Sequence, residues 1–582
     1  MIPAQRTFNS KNMFLLKVCT AALCIIAGRL FYLQINQGKR LFEQSQKNFT
    51  RTESLLSLRG NILDCHGHIL ATNKPITAVY WQGTGNKKLS SEQLTILKQL
   101  EHLTDKDFSE KEQTLTHTEK HFKKQLLVTN VSFEQLSKIA ELLSDEKNIT
   151  IETKFKRFYP YKSIASHALG YLGHLGPSYE GRMGLEKLFE EQLRGKKGSL
   201  MRVINSVGTH LSEYQTEETL SGNDIKTTLD LSLQRIAERI FPKDRTGTLI
   251  LMDPRDGSLR VILSRPTFDP NVFMNPLNPD QWQELQAQKP FLNRFCNASY
   301  PPGSIFKLVT LSAAIETNII DPYSTWDCKG FVTLANRKYR CARRAGHGEL
   351  TTKQAVANSC NILFYEIAKK MDIDVLAKYA QIFGFGKPTS HLLSERTGLV
   401  PTREWKQETK GERWWLGETL SASIGQSFLL TTPLQIARMI GSIETGYLVS
   451  TRLIENSTPN YEPLKIKYET RAFLRQTMHA VVTKGTARMF NKLDDFIIRA
   501  KTSTAQTSTL SKRKQGEAFL EHGWFAGNFS FRGSPPLTLV ILTENTGNAK
   551  LPMLIGREFL KNYQELMELR EKKKRRTEEQ RV

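Results

Sequence analysis

An α+β fold behind a single N-terminal membrane anchor is what the sequence predicts, and three observations predict it. Residues 13–35, MFLLKVCTAALCIIAGRLFYLQI, form one apolar run; no series of such runs follows; and the strand-like and helix-like segments beyond it mix without a steady β–α–β alternation. With 582 residues, of which 39% are hydrophobic, the chain is neither a disordered tail, a collagen-like fibre nor a polytopic transporter. Eighty-two Lys and Arg against 58 Asp and Glu leave a formal charge of +24, which suits nucleic acid, an anionic membrane or an anionic polymer. No basic-aromatic recognition module accompanies that charge, so no nucleic acid is expected as a partner. Seven cysteines are too few for a disulfide-dense scaffold.

About 23 apolar residues suffice to cross a hydrocarbon layer of roughly 30 Å as one helix. Lys17 lies near one end and can snorkel, whereas Arg29 must reach the far interface or a partner helix. No small-x-small cleavage site follows, so an uncleaved anchor is predicted, with residues 1–12 before it. Lys39, Arg40 and Lys47 follow the span, so charge alone orients it weakly.

Residues 36–222 are polar and carry no catalytic cluster. Within them Arg59–Asp64 reads as a strand entering a turn at Gly67, and Gly181–Leu193, with Gly195 and Gly198 beyond, as a helix bounded by glycines. Both read as structural punctuation. From residue 223 to 556 the texture changes. Thr227–Asp230 leads into the helical stretch LSLQRIAERI, and Thr248–Pro254 with Asp256-Gly257 reads as a strand and turn. Residues 557–582 form a basic helical tail containing Lys572–Arg576, suited to solvent or to anionic headgroups.

Three short motifs carry chemistry. Tyr300-Pro301-Pro302-Gly303-Ser304-Ile305-Phe306-Lys307 opens an apolar helix, which puts Ser304 in a first turn with free N–H groups and Lys307 on the same face. A serine hydroxyl needs an adjacent base, and a lysine serves if burial or another cation lowers its pKa. Downstream stand Ser359-Cys360-Asn361 and then Lys501-Thr502-Ser503-Thr504. The order Ser-x-x-Lys, Ser-x-Asn, Lys-Thr-x is far more specific than any one motif, and Lys501 offers a positive charge to hold Lys307 neutral.

With these motifs the chain resembles the class B penicillin-binding proteins. The anchor, the Arg59 and Gly181 segments, Ile424-Gly425-Gln426, Lys484-Gly485-Thr486-Ala487 and His522–Gly527 extend the likeness. Gly346-His347-Gly348 and Pro401–Lys406 are more similar to the elongation-type, or penicillin-binding protein 2, branch than to the division type. The resemblance implies a serine β-lactamase-like transpeptidase domain on an elongated pedestal, and a D,D-transpeptidase that cross-links D-Ala-D-Ala stem peptides and is inhibited by β-lactams. It implies Ser304 as nucleophile, Lys307 as base, Ser359 as proton relay and Asn361 as the group orienting the substrate amide. Lys501, Thr502 and Thr504 would hold the terminal carboxylate, beside Ser503, and the N–H groups of Ser304 and Thr504 would form the oxyanion hole. It further implies an inner-membrane protein with a periplasmic catalytic domain, and as partners a polytopic SEDS-type glycan polymerase and other elongation-complex proteins. No cofactor is expected for catalysis. A β-lactamase or β-lactam sensor of the same fold, and a non-catalytic scaffold, are the alternatives.

Three departures from the family pattern stand out. Ser503 replaces the usual glycine after Lys-Thr, Cys65 an arginine after Asp64, and Ser427 a glycine after Gln426. Cys328, Cys341, His347 and Cys360, at intervals of 13, 6 and 13, suffice chemically for tetrahedral zinc, although the usual close pairs are missing. The resemblance favours a structural zinc there; disulfides and a buried histidine are the alternatives.

Overall fold

The computed structural model describes residues 10–55, 57–143, 146–175, 178–204, 210–275, 277–390, 394–506 and 516–580. Most of the predicted N-terminal segment 1–12 and the last two residues of the tail lie outside them. The apolar helix runs Ser10–Phe31 and continues through a wider turn, Tyr32–Asn36. Met13–Asn36 forms a 24-residue span of mean hydropathy 1.9 with none of it buried by protein, long enough to cross a bilayer.

Two compact units follow, and they are not consecutive stretches of chain. The first gathers residues up to Arg59, Asn73–Lys156 and Arg194–Gly222. Its strands Thr50–Leu55, Gly198–Ile204 and His210–Glu217 make an antiparallel sheet in that order. The later part of strand Ile69–Gln82 pairs with Lys124–Thr129, and a small core forms on Val79, Trp81, Leu97, Leu100, Leu115 and Ile139. The helix Ser91–Thr104 starts at a reciprocal cap, Ser90 with Gln93, which satisfies two otherwise orphaned N–H groups.

The second unit gathers Gly60–Thr72, Arg157–Leu193 and Asn223 onward. A five-stranded antiparallel sheet runs in the order Leu259–Arg265, Gly247–Met252, Leu537–Thr543, His522–Phe531, Phe496–Ala505. The three interior strands are buried almost throughout. The helices Pro433–Thr445 and Lys550–Glu579 pack on the sheet. Phe496–Ala505 is an edge strand, so its outer backbone edge is available to whatever lies beside it.

The α+β class stands, and several predicted elements fall where the pattern put them. LSLQRIAERI is the helix Leu231–Ile240; Asp230 caps it by accepting from the N–H groups of Ser232 and Leu233, and Leu231, Leu233 and Ala237 face the core. Gly67 turns at φ +87° after the strand Ile62–Leu63. The Gly181–Leu193 segment differs from its prediction as one helix. Gly181 ends a strand, and short helices run Gly184–Leu188 and Glu190–Arg194. A Cβ at Gly181 would lie 2.1 Å from the Glu186 carbonyl oxygen, so this glycine permits a close backbone approach. The predicted tail, residues 557–582, begins inside the packed part of the Lys550–Glu579 helix, where Ile555, Phe559, Leu560 and Tyr563 are buried; only from Glu571 on is the basic stretch exposed throughout.

Candidate active site

Ser304 sits in a 3-10 turn, Gly303–Ile305, that feeds the buried helix Lys307–Glu316. Gly303 has φ +53°, and its N–H donates to the Gly425 carbonyl at 2.9 Å. Its missing side chain matters, because a Cβ there would meet Ser503 Oγ at 2.3 Å. The turn therefore packs against the edge strand Phe496–Ala505, and two of the three motifs meet at this contact.

The third motif enters through the loop between helices Thr352–Ala357 and Ile362–Lys370. Ser359 there adopts φ +53°, a left-handed conformation costly for a residue with a Cβ and typical of functional sites. Lys307 Nζ donates to the Ser359 carbonyl at 2.8 Å and to Asn361 Oδ1 at 2.7 Å, and lies 3.3 Å from Ser359 Oγ. Lys501 Nζ donates to the same Ser359 Oγ at 2.9 Å. Asn361 Nδ2 in turn donates to the Arg340 carbonyl at 3.0 Å, which fixes its amide orientation. Lys307, Ser359, Asn361 and Lys501 thus share one cluster. Among the described residues, no hydrogen bond joins Ser304 Oγ to Lys307 Nζ; the amine is held by carbonyl oxygens, and such contacts commonly tighten only with substrate present.

Both lysines are fully buried, and among the described residues no carboxylate pairs with either. Burial lowers the Lys307 amine to about 8, while the Cys360 and Cys341 thiols pull the other way. Lys501 is pushed well below its usual range by burial first and by Lys307 second. The expectation that Lys501's charge holds Lys307 neutral is corrected accordingly: loss of water does most of it.

Thr502 and Thr504 alternate with Lys501 and Ser503 along the strand. Thr504 is exposed, and Thr502 Oγ1 bonds to Thr486 Oγ1 at 2.6 Å. Thr486 belongs to Lys484–Ala487, where sequence reasoning found a likeness but no role; Gly485 lets this segment press against the Ala357 carbonyl. Gly425 is the other residue whose task was missed. It backs Gly303, and a Cβ there would collide with the Gly303 carbonyl at 2.1 Å. The Pro401–Lys406 segment acts at one remove: buried Lys406 pairs with Glu418 at 2.6 Å and steadies the helix Leu416–Ser423 that leads to Gly425.

Ser503 Oγ is buried and without a hydrogen-bond partner. Ser427 holds φ +68°, a conformation cheap only for glycine, so that departure from the family pattern costs backbone strain. Cys65 is half-buried, its thiol pushed up to about 11 by burial and by Asp230.

The ligand atoms of Cys328, Cys341, His347 and Cys360 all lie within 4.8 Å of one another. Cys328 Sγ and Cys341 Sγ are 3.4 and 3.6 Å from His347 Nδ1, and Cys341 Sγ is 3.8 Å from Cys360 Sγ. Bonds of about 2.3 Å from zinc to sulfur give tetrahedron edges of about 3.8 Å, so the spacing and donor set fit such an ion. None of the seven cysteines is in a disulfide, and a bridge would require sulfurs near 2.05 Å. Cys341 is the thiol favoured as thiolate, through the S–H of Cys360, while Cys360 is driven the other way as its donor.

A family model described as "Penicillin binding protein transpeptidase domain" matches residues 247–556, more than half of the chain. The chain belongs to the penicillin-binding protein transpeptidase family. A second model, "Penicillin-binding Protein dimerisation domain", matches residues 54–227. The peptidoglycan D,D-transpeptidase MrdA of Acinetobacter baumannii is 29% identical, over 93% of this chain and 85% of that protein. MrdA of Escherichia coli K12 is 26% identical over 92% and 91%. Among solved structures, the complex of penicillin-binding protein 2 with MreC from Helicobacter pylori matches at TM-score 0.76 and 27% identity, covering 88% of this chain and 99% of that one. A chain in a peptidoglycan synthase complex that coordinates polymerization and crosslinking matches at 0.73 and 29%, covering 95% and 98%. The fold expected from the resemblance, and its penicillin-binding protein 2 character, are borne out.

Proposed function

We propose that this chain is a membrane-anchored peptidoglycan D,D-transpeptidase of the elongation type, inhibited by β-lactams. The observation that carries the proposal is that Lys307 and Lys501 meet at the Ser359 hydroxyl while Asn361 holds Lys307, on the helix that follows the turn bearing Ser304. Neutral Lys307 takes the proton as Ser304 Oγ bonds to the D-Ala-D-Ala carbonyl carbon. The C–N bond to the terminal D-Ala then breaks, and the proton reaches the leaving amine through Ser359. An amine of a neighbouring stem peptide attacks the acyl-enzyme, forms the cross-link and frees Ser304. Water in place of that amine would give carboxypeptidase activity. Lys501, Thr502 and Thr504 hold the substrate carboxylate, Ser503 lies beside it, and the N–H groups of Ser304 and Thr504 receive the oxyanion.

The span Met13–Asn36 anchors the chain in the inner membrane with the catalytic unit in the periplasm, where the polymer lies. A SEDS-type polymerase and elongation-complex proteins are its partners, a reading supported by the complexes its structural neighbours form. Residues 36–222 make the pedestal, 223–556 the transpeptidase domain and 557–582 the tail. A structural zinc on Cys328, Cys341, His347 and Cys360 ties the Ser359–Asn361 loop to the hairpin before it, holding that loop in place without entering the reaction.

Fluorescent penicillin tests the function: the wild-type chain is labelled with an acyl mass increment on Ser304, and Ser304→Ala stays dark. An unlabelled wild type refutes it. Elemental analysis tests the metal, with about one zinc per chain expected, lost in Cys341→Ser. Zinc-free protein, or zinc unaffected by that change, rejects the site.

A further inference from the structure

Between Cys328 and Cys341 the chain makes a short hairpin, Phe331–Leu334 paired with Arg337–Arg340. Val332 and Tyr339 face inward, and Tyr339 packs edge-on against Tyr365. The exposed charged residues of the hairpin and of the turn after Cys341 are almost all of one sign. Lys329, Arg337, Lys338, Arg340, Arg343 and Arg344 are exposed, six cations within 16 residues. Between Trp326 and Glu349 the acids number two, Asp327 and Glu349. Among the described residues, only Lys329 of the six is paired with a carboxylate, that of Asp327 at 3.7 Å. Lys338 lies over the Phe331 ring and Arg337 over Tyr339, which props those two side chains along the hairpin. An ordinary solvated surface intersperses both signs, whereas like charges this dense repel one another unless something anionic arrives.

The position of the hairpin indicates what arrives. The Arg340 carbonyl accepts from Asn361 Nδ2 at 3.0 Å, and Asn361 N donates to Cys341 Sγ at 3.5 Å, so the cations begin one hydrogen bond from the residue that holds Lys307. We propose that this hairpin is a docking rail for peptide strands bearing free carboxylates, which it draws onto the rim of the cleft before a stem enters. This rests on the function proposed above and adds a polymer-binding subsite to it. Anionic headgroups share the carboxylate's charge. A peptide strand lying on the hairpin continues into the site, however, whereas a membrane surface there would cover it.

The test uses the full chain in detergent and the variant R343E/R344E, whose side chains lie outside the proposed catalytic and metal-binding groups. Its substrates are fluorescent penicillin, uncross-linked peptidoglycan with free stem carboxylates, and the same polymer with every stem carboxylate amidated except the terminal D-Ala one that the site itself requires. On the free-carboxylate polymer the variant is expected to raise KM roughly 3- to 10-fold, to flatten its salt dependence and to leave kcat within about twofold. Penicillin acylation should be unchanged, which also reports a folded protein, and the amidated polymer should not distinguish the two proteins. An unchanged KM overturns the proposal, as does an equal loss on the amidated polymer, or a loss seen only with phosphatidylglycerol vesicles present. A wild type that penicillin fails to label instead overturns the parent function, and the rail with it.

Discussion

Two buried clusters of charge in the second compact unit are handled in opposite ways. Arg157 and Glu186 are both almost fully buried and pair at 2.7 Å, with the Gly60 carbonyl and the Tyr159 hydroxyl completing the set. Lys307 and Lys501 are buried as deeply, yet among the described residues their hydrogen bonds go to uncharged oxygens. In the first cluster, opposite charges offset the loss of water. In the second, no carboxylate among the described residues offsets it, so Lys307 holds its proton less tightly and a fraction of it is available as a base near neutral pH. The missing carboxylate is what makes the second cluster chemical rather than structural.

Breaking the chemical cluster outright has the largest expected effect. Lys307→Met keeps the volume and removes the base, and the second-order rate of penicillin acylation should fall about 10³-fold or more, read by stopped-flow labelling. Breaking the structural cluster should leave acylation near normal while costing stability. Glu186→Gln strands a buried guanidinium and is expected to cost about 3–5 kcal/mol, read as a lower denaturation midpoint.

Making the second cluster resemble the first sharpens the comparison. Asn361→Asp places a carboxylate beside the Lys307 amine. In the wild type, acylation should rise with pH through about 8, because the protonated amine cannot accept the serine proton. In the variant that rise should move to higher pH, and the rate at pH 7 should drop about tenfold or more. A profile that does not move would show that Lys307 is not the titrating base. The same lowered pKa carries a stability term. Between about 8 and the unfolded amine's 10.5 the unfolded chain binds more protons, so this term favours folding increasingly as pH rises across that window. Ser503→Gly should do least. It removes an unpartnered buried hydroxyl from the Gly303 contact, and penicillin acylation is expected to change by about threefold or less, with stability unchanged or slightly higher.

What could be read from the sequence follows from how local each cause is. Asp230 before LSLQRIAERI states its own helix start, because a cap and an amphipathic stripe are both short-range. The meeting of Lys307, Ser359, Asn361 and Lys501 was legible because three fixed-order motifs constrain one another. The placing of Gly60–Thr72 and Arg157–Leu193 with the second unit was not, since it depends on contacts such as Arg157 to Gly60 across 97 residues. Nor was the Gly303 to Ser503 contact, a meeting of backbone and side chain that neither segment announces. The cysteine and histidine intervals gave the ligand types; only folding brings their donor atoms together.

Counting hydrogens around Ser359 gives its hydroxyl a direction. A neutral Lys307 has two, and the Ser359 carbonyl and Asn361 Oδ1 claim both, which leaves its lone pair for the Ser304 proton while Lys501 donates to Ser359 Oγ. Once a third hydrogen arrives on Lys307, Ser359 Oγ at 3.3 Å can accept it, and the hydroxyl passes its own hydrogen on to the departing nitrogen. On the roles proposed for these residues, the wire is a one-way valve: the act of charging one end cocks the other.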